Sequence, residues 1–154
     1  MPDFFAEASE SKAIHVLNLR TRQVSTLPGS DRLYSPHWSP DGRYIVAVHL
    51  DVEKLMLFDL ARQKWFELVA RSAHNPDWSR DGKYVYFQSR MEEGRPIYRV
   101  RISDRRLERI LNLKDLKRAD ALYWNFAGVT PDGSLAVALY QNIGDIYALD
   151  WEAP

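Results

Sequence analysis

Ser35-Pro-His-Trp-Ser-Pro-Asp-Gly42 and Asn75-Pro-Asp-Trp-Ser-Arg-Asp-Gly82 are two copies of one pattern, and Phe126-Ala-Gly-Val-Thr-Pro-Asp-Gly133 is a third. Their glycines stand 40 and 51 residues apart. After each Asp-Gly comes an apolar run: Tyr44–Val48, Tyr84–Phe87 and Leu135–Leu139. A polar loop follows, then a second run that aligns four times, as Ile14–Leu19, Leu55–Leu60, Ile97–Ile102 and Ile146–Trp151. A short third run keeps a fixed offset from the second. Val24, Trp65 and Leu107 each lie five residues past its end, and Leu27, Leu68 and Ile110 lie eight past it.

The repeat reads as four short antiparallel strands. Asp-Gly is the hairpin turn between the first two, because aspartate bonds its own downstream backbone and glycine takes the positive φ that a tight hairpin demands. This assigns Asp41, Gly42, Asp81, Gly82, Asp132 and Gly133 to turns, and excludes the three aspartates as catalytic carboxylates. No apolar stripe of helical spacing spans a repeat, so the fold class is all-β. A four-stranded unit of about 40 to 45 residues has the period of a β-propeller blade, whose sheet buries both faces only when neighbouring blades pack on it. Trp38 and Trp78 are expected to wedge between adjacent blades.

The motif x-Pro-x-Trp-Ser-Pro-Asp-Gly-Arg/Lys-Tyr, followed by Ile-Tyr-x-x-Asp-Leu-like strands, resembles the WD-like propeller repeats of the TolB type found in bacterial proteins. The resemblance runs from about Ala13 to Trp151. The tail from Phe126 is also similar to the C-terminal end of propellers that follow a winged-helix, DNA-binding domain in acidobacterial regulator-like proteins. The last copy departs from the pattern, with Val129 at the tryptophan position and Thr130 for serine. The resemblance implies a periplasmic or a cytoplasmic protein.

Counting strands gives a partial propeller of about three and a half to four blades. Residues 1–34 form a partial first blade, with a strand expected at Phe4–Ala8; 35–74 form the second blade and 75–125 the third. Residues 126–154 form a fourth blade without its last strand. Closed propellers have four to eight blades. The chain is therefore expected to be the C-terminal part of a larger propeller, or to complete itself through its open blade edges as a homo-oligomer. The interval before the third copy is longer than the others, and the extra residues fall in Leu111–Asn125. That segment is expected to be a short surface helix or ordered loop, not a blade strand.

Composition excludes several classes. Hydrophobic residues make up 45% of the 154, charged residues 27% and aromatic residues 12%, which is a globular composition. With no cysteine there is no disulfide framework and no thiolate metal site. Lysine plus arginine equal aspartate plus glutamate at 21 each, so no whole-molecule field draws the chain to nucleic acid or an anionic membrane. The N-terminal thirty residues lack a signal-peptide pattern, and no run is long and apolar enough for a membrane span.

Catalytic motifs are absent: no Gly-x-Ser-x-Gly elbow, no His-Glu-x-x-His and no glycine-rich phosphate loop. His37 and Asp77 occupy the same repeat position, just before the tryptophans, and are expected to face a shared central channel. They are the weak metal candidates, and two ligands are too few for a confident site. From Arg95 to Arg118 nine basic residues meet three acidic ones. Arg99 and Arg101 alternate there with Val100 and Ile102 as on a half-exposed strand, so they are weighed as a partner surface and not as a nucleic-acid site. Tyr123 and Trp124 join them as partner-surface candidates. The resulting expectation is a non-catalytic interaction or sensor module that binds a protein, peptide or small ligand, with no cofactor. Its alternatives are the gating or accessory propeller of a hydrolase, or a propeller-based metal-dependent lyase.

Overall fold

The structure, a computed structural model, describes residues 13–51, 54–116 and 121–141. The strands expected at Phe4–Ala8 and Ile146–Trp151 lie outside the described residues. Blade 1 contributes the hairpin β1 (His15–Leu17) and β2 (Val24–Thr26). Blade 2 is a four-stranded sheet of β3 (Leu33–Trp38), β4 (Tyr44–His49), β5 (Leu55–Asp59) and β6 (Lys64–Val69). Blade 3 repeats it with β7 (His74–Trp78), β8 (Tyr84–Gln88), β9 (Pro96–Arg101) and β10 (Leu107–Asn112). Blade 4 shows β11 (Ala121–Val129) and β12 (Leu135–Gln141). Every pairing is antiparallel and sequential, with β3 packed against β7 and β7 against β11 as successive inner strands.

The Asp-Gly turns form because each supplies its own partners. Ser39 Oγ donates to Asp41 Oδ1 at 2.6 Å, and that oxygen also accepts the Arg43 amide at 3.0 Å. Ser79 and Asp81 repeat this at 2.7 Å, with the Lys83 amide at 3.1 Å. Thr130 substitutes for the serine in the third copy, donating to Asp132, which accepts Ser134 N at 3.1 Å. Gly42, Gly82 and Gly133 have φ of 72°, 68° and 88°, a region open to glycine at little cost. The serine or threonine hydroxyl first, and the backbone amide second, hold all three aspartates below the usual carboxylate range. A depressed carboxylate pKa adds stability that is complete above the unfolded value, near about pH 4, and is lost as pH falls through the folded one. The thermal midpoint is therefore expected to hold above that range and fall below it. Combining Asp41→Asn, Asp81→Asn and Asp132→Asn should flatten the acid slope in a melting series.

The core is divided between the blades. Val46, Val48, Leu57, Trp78, Val85 and Phe87 fill the space between blades 2 and 3. Ile14, Leu27, Leu33, Ile45, Ala47 and Phe58 fill that between blades 1 and 2. Ile97, Leu113 and Phe126, with Tyr86, Trp124 and Val137 against them, join blades 3 and 4. Adjacent residues of β4 thus serve different cores: Ile45 and Ala47 look to blade 1, Val46 and Val48 to blade 3. A strand covered on both faces needs a continuous apolar run, not an alternating one. The Tyr44–Val48 stretch is that run.

Three expectations are corrected, the first at Trp38, whose side chain is 49% exposed and, unlike Trp78, belongs to none of the interblade cores. Among the described residues of Leu111–Asn125, only Leu113–Asp115 is helical, a single 3-10 turn. Leu111 and Asn112 end β10 in blade 3, whereas Ala121–Asn125 open β11 and so belong to blade 4 and not to blade 3. The apolar residues lack helical spacing and pair across the hairpin instead, Tyr123 with Tyr140 and Trp124 with Leu139. Blades 2 and 3 also open slightly earlier than expected, at Leu33 and His74.

The β1–β2, β5–β6 and β9–β10 turns share a further feature. Arg22, Gln63 and Arg105 hold the same place in each, with φ of 57°, 54° and 58°. Asn18 and Asp59 start the first two by accepting backbone amides two and three residues on.

Candidate functional site

Each inner strand has a register shift just before the repeat's tryptophan position. The register shifts between Tyr34 and His37 in β3, between His74 and Asp77 in β7, and between Phe126 and Gly128 in β11. Pro36 and Pro76 sit in the first two bulges, where a residue without an N–H costs no ladder bond. The bulges bring His37, Asp77 and Gly128 to matching positions in three successive blades.

His37 Nδ1 lies 3.9 Å from Asp77 Oδ1, and both side chains are partly exposed. The repeat alignment places the two in one column, and in the structure they stand side by side. Asp77 is fixed on its other side: Oδ1 accepts the Trp78 amide at 2.9 Å and Oδ2 the Val129 amide at 2.7 Å. Gly128 makes this possible. A Cβ there would stand 2.8 Å from Asp77 Oδ2, so no other residue leaves room for the carboxylate to reach blade 4. With φ of 149°, the backbone of Gly128 is also one that side chains rarely adopt.

Further polar bonds cross the blade boundaries near this face. The Trp78 indole donates to the His37 carbonyl at 3.0 Å. Asn75 Nδ2 donates to Phe126 O at 2.9 Å, and the Phe126 amide donates to Gln88 Oε1 at 3.0 Å. Gln88 is fully buried. Gly128, Asn75 and Gln88 were not legible as functional from their types alone, although Gly128 and Asn75 stand in aligned columns of the repeat.

The other candidates fall elsewhere. Arg99 and Arg101 lie on β9, on the far side of blade 3 from the inner strands. Arg99 Nε donates to Glu108 at 2.8 Å and its guanidinium sits 4.6 Å from the Tyr84 ring centre. Tyr86 and Glu108 hold it above the ordinary arginine range. Arg101 pairs with Asp104 at 3.2 Å. Tyr123 stacks on Tyr140 with ring centres 4.5 Å apart, and Arg95 lies over Tyr123 at 5.2 Å. Trp124 packs against the blade 3–blade 4 core and serves it. Glu92, in the β8–β9 loop, accepts from Tyr98 at 2.6 Å and pairs with Arg71 at 3.2 Å. Burial pushes the Glu92 carboxyl up, but Tyr98 and Arg71 outweigh it and hold it below its usual range.

His15, His49 and His74 do not join His37. His15 meets Thr26, His49 accepts the Asp51 amide, and His74 lies 3.5 Å from the Tyr34 hydroxyl. Among the described residues no three of histidine, aspartate and glutamate gather as metal ligands. Nor does any described helix have the length and apolarity to cross a membrane.

TolB from Acinetobacter baumannii shares the fold, with a TM-score of 0.61 and 24% identity over 84% of this chain and 35% of its own. The putative TolB from Agrobacterium tumefaciens matches at 0.63 and 22%, over 88% of this chain and 48% of its own. The fold is a TolB-type β-propeller. The chain spans less than half the length of either TolB structure. A similar propeller occurs in prolyl endopeptidases, at TM-score 0.54 and 14% identity over 84% of this chain and 23% of theirs. No protein-family model and no curated protein matches the sequence.

Proposed function

We propose that this TolB-type propeller segment is a non-catalytic interaction module that takes a protein or peptide at its inner-strand face. The observation that carries the reading is the meeting of His37 and Asp77 from successive blades. Asp77, already fixed by two backbone amides, offers acceptor capacity in one orientation. His37 offers a ring nitrogen beside it. An acceptor and an imidazole held side by side complement a peptide group or a basic side chain. No nucleophile stands beside the pair among the groups bonded to it, which supports binding over chemistry.

Panning a displayed peptide library against the 154-residue chain should enrich binders that compete with one another. Their affinity is expected to fall about tenfold or more with His37→Ala or Asp77→Asn, as when a charged hydrogen bond is lost. Gly128→Ala should weaken binding too, because it displaces the Asp77 carboxylate. Unchanged affinity in all three variants, or turnover of peptidyl or ester substrates by the purified chain, would overturn the reading.

A further inference from the structure

The turns after the first and third strands of blades 2 and 3 open on one face of the molecule, because sequential antiparallel strands return there. Between blades 2 and 3 this face carries a groove. Tyr44, Gly82, Lys83, Arg101, Ile102 and Ser103 line about 420 Å³ of it. Past Tyr44 and Ile102 it continues into a smaller hollow of about 130 Å³, over Leu57, Phe66 and Leu68, with Arg62 and Arg105 at its edge. The floor is apolar and aromatic, with Trp78 stacked beneath Tyr44 at 6.5 Å between ring centres.

The rim is cationic. Arg43 lies 4.8 Å over the Tyr44 ring, and Arg62, Lys83, Arg101 and Arg105 complete the set. Three carboxylates answer these five cations. Asp81 pairs with Lys83 and Asp104 with Arg101. The buried Asp59 is shared between Arg43 at 3.7 Å and Arg62 at 3.9 Å, after its Oδ1 has accepted two turn amides. Glu67, also on the smaller hollow, is taken by Lys54 at 2.6 Å. Two positive charges therefore remain in surplus.

We propose that this groove binds an acidic peptide segment in which carboxylates alternate with apolar side chains. Charge complementarity selects the sign, and the floor selects a chain with apolar residues. A nucleic-acid duplex would need a longer basic stripe to neutralise successive phosphates. The neighbouring cations, Arg99 and Arg106, are held by Glu108 and do not extend one. The proposal stands on different residues from the inner-strand face and does not depend on that reading.

The test is fluorescence anisotropy of a labelled Asp-Leu-Asp-Phe-Asp-Leu peptide and its lysine-for-aspartate analogue on the whole chain. The acidic peptide is expected to saturate and to weaken with added salt. Arg105→Glu, on an exposed turn, should weaken it about tenfold, and adding Arg101→Gln should weaken it further. Arg22→Glu holds the same turn position in blade 1, outside the groove, and should leave binding unchanged. The proposal is overturned if the lysine analogue binds equally, if no saturation occurs by about 1 mM peptide, or if Arg22→Glu weakens binding as much as Arg105→Glu. Displacement by inorganic phosphate or a short DNA duplex at matched concentration would overturn it as well, by assigning the groove to phosphate.

Discussion

Trp78→Ala is expected to lower the unfolding free energy of the chain by about 3–5 kcal/mol, the cost of deleting a large buried aromatic from a packed core. Trp78 is 6% exposed and shares its core with residues of β4, β5, β8 and β9. The substitution opens a cavity between blades 2 and 3, removes the face on which Tyr44 stacks, and strips the His37 carbonyl of the indole donor. Because domains are stable by only about 5–15 kcal/mol, the loss takes much of the margin. Trp78→Phe keeps most of the ring volume and loses the donor, so it should cost less. Trp38→Ala provides the contrast. Its side chain occupies the same column of the repeat but is 49% exposed, and the expected cost is about 1 kcal/mol. Urea unfolding followed by circular dichroism separates these outcomes; equal losses for Trp38→Ala and Trp78→Ala would refute the assignment of Trp78 as the interblade wedge.

That contrast marks how far the sequence could be read. The column of Trp38, Trp78 and Val129 identified the repeat and placed Asp41, Asp81 and Asp132 in their turns, because turn chemistry is local and each copy carries its own partners. That His37 and Asp77 come side by side has a related reason: identical register in successive blades puts equal columns next to each other. Exposure was not legible, since it depends on which neighbouring blade covers a given face. Leu111–Asn125 misled because its mix of lysines and leucines follows no period, and the decisive contact, Tyr123 on Tyr140, comes from the next strand, 17 residues on. Gln88 was silent for the opposite reason. A glutamine at the end of an apolar run looks like a strand terminus, and only the approach of β11 turns it into a buried bridge.

That bridge and Phe126 together set the expected behaviour of blade 4. Phe126→Ala should cost about 3–5 kcal/mol where the blades remain coupled, since the ring is 1% exposed and packs with Ile97 and Leu113. Its backbone is a second tie, with the amide bonded to Gln88 Oε1 and the carbonyl to Asn75. These bonds survive the alanine substitution, so the loss is one of packing alone. Gln88→Leu removes the complementary part: it leaves the Phe126 amide without its acceptor in a buried site, at about 1–3 kcal/mol, while keeping an apolar volume. The two defects share one boundary, so the double variant should lose less than the sum of the singles if blade 4 has already come away. Hydrogen exchange reads this directly. Amides of β11 and β12 should lose protection in Phe126→Ala while β4 and β5, two blade boundaries away, keep theirs, as expected where each sheet packs mainly on its neighbours. Uniform loss of protection through blades 2 and 3 would instead mean that the blades unfold as one unit, and that the core is shared more widely than its three clusters suggest.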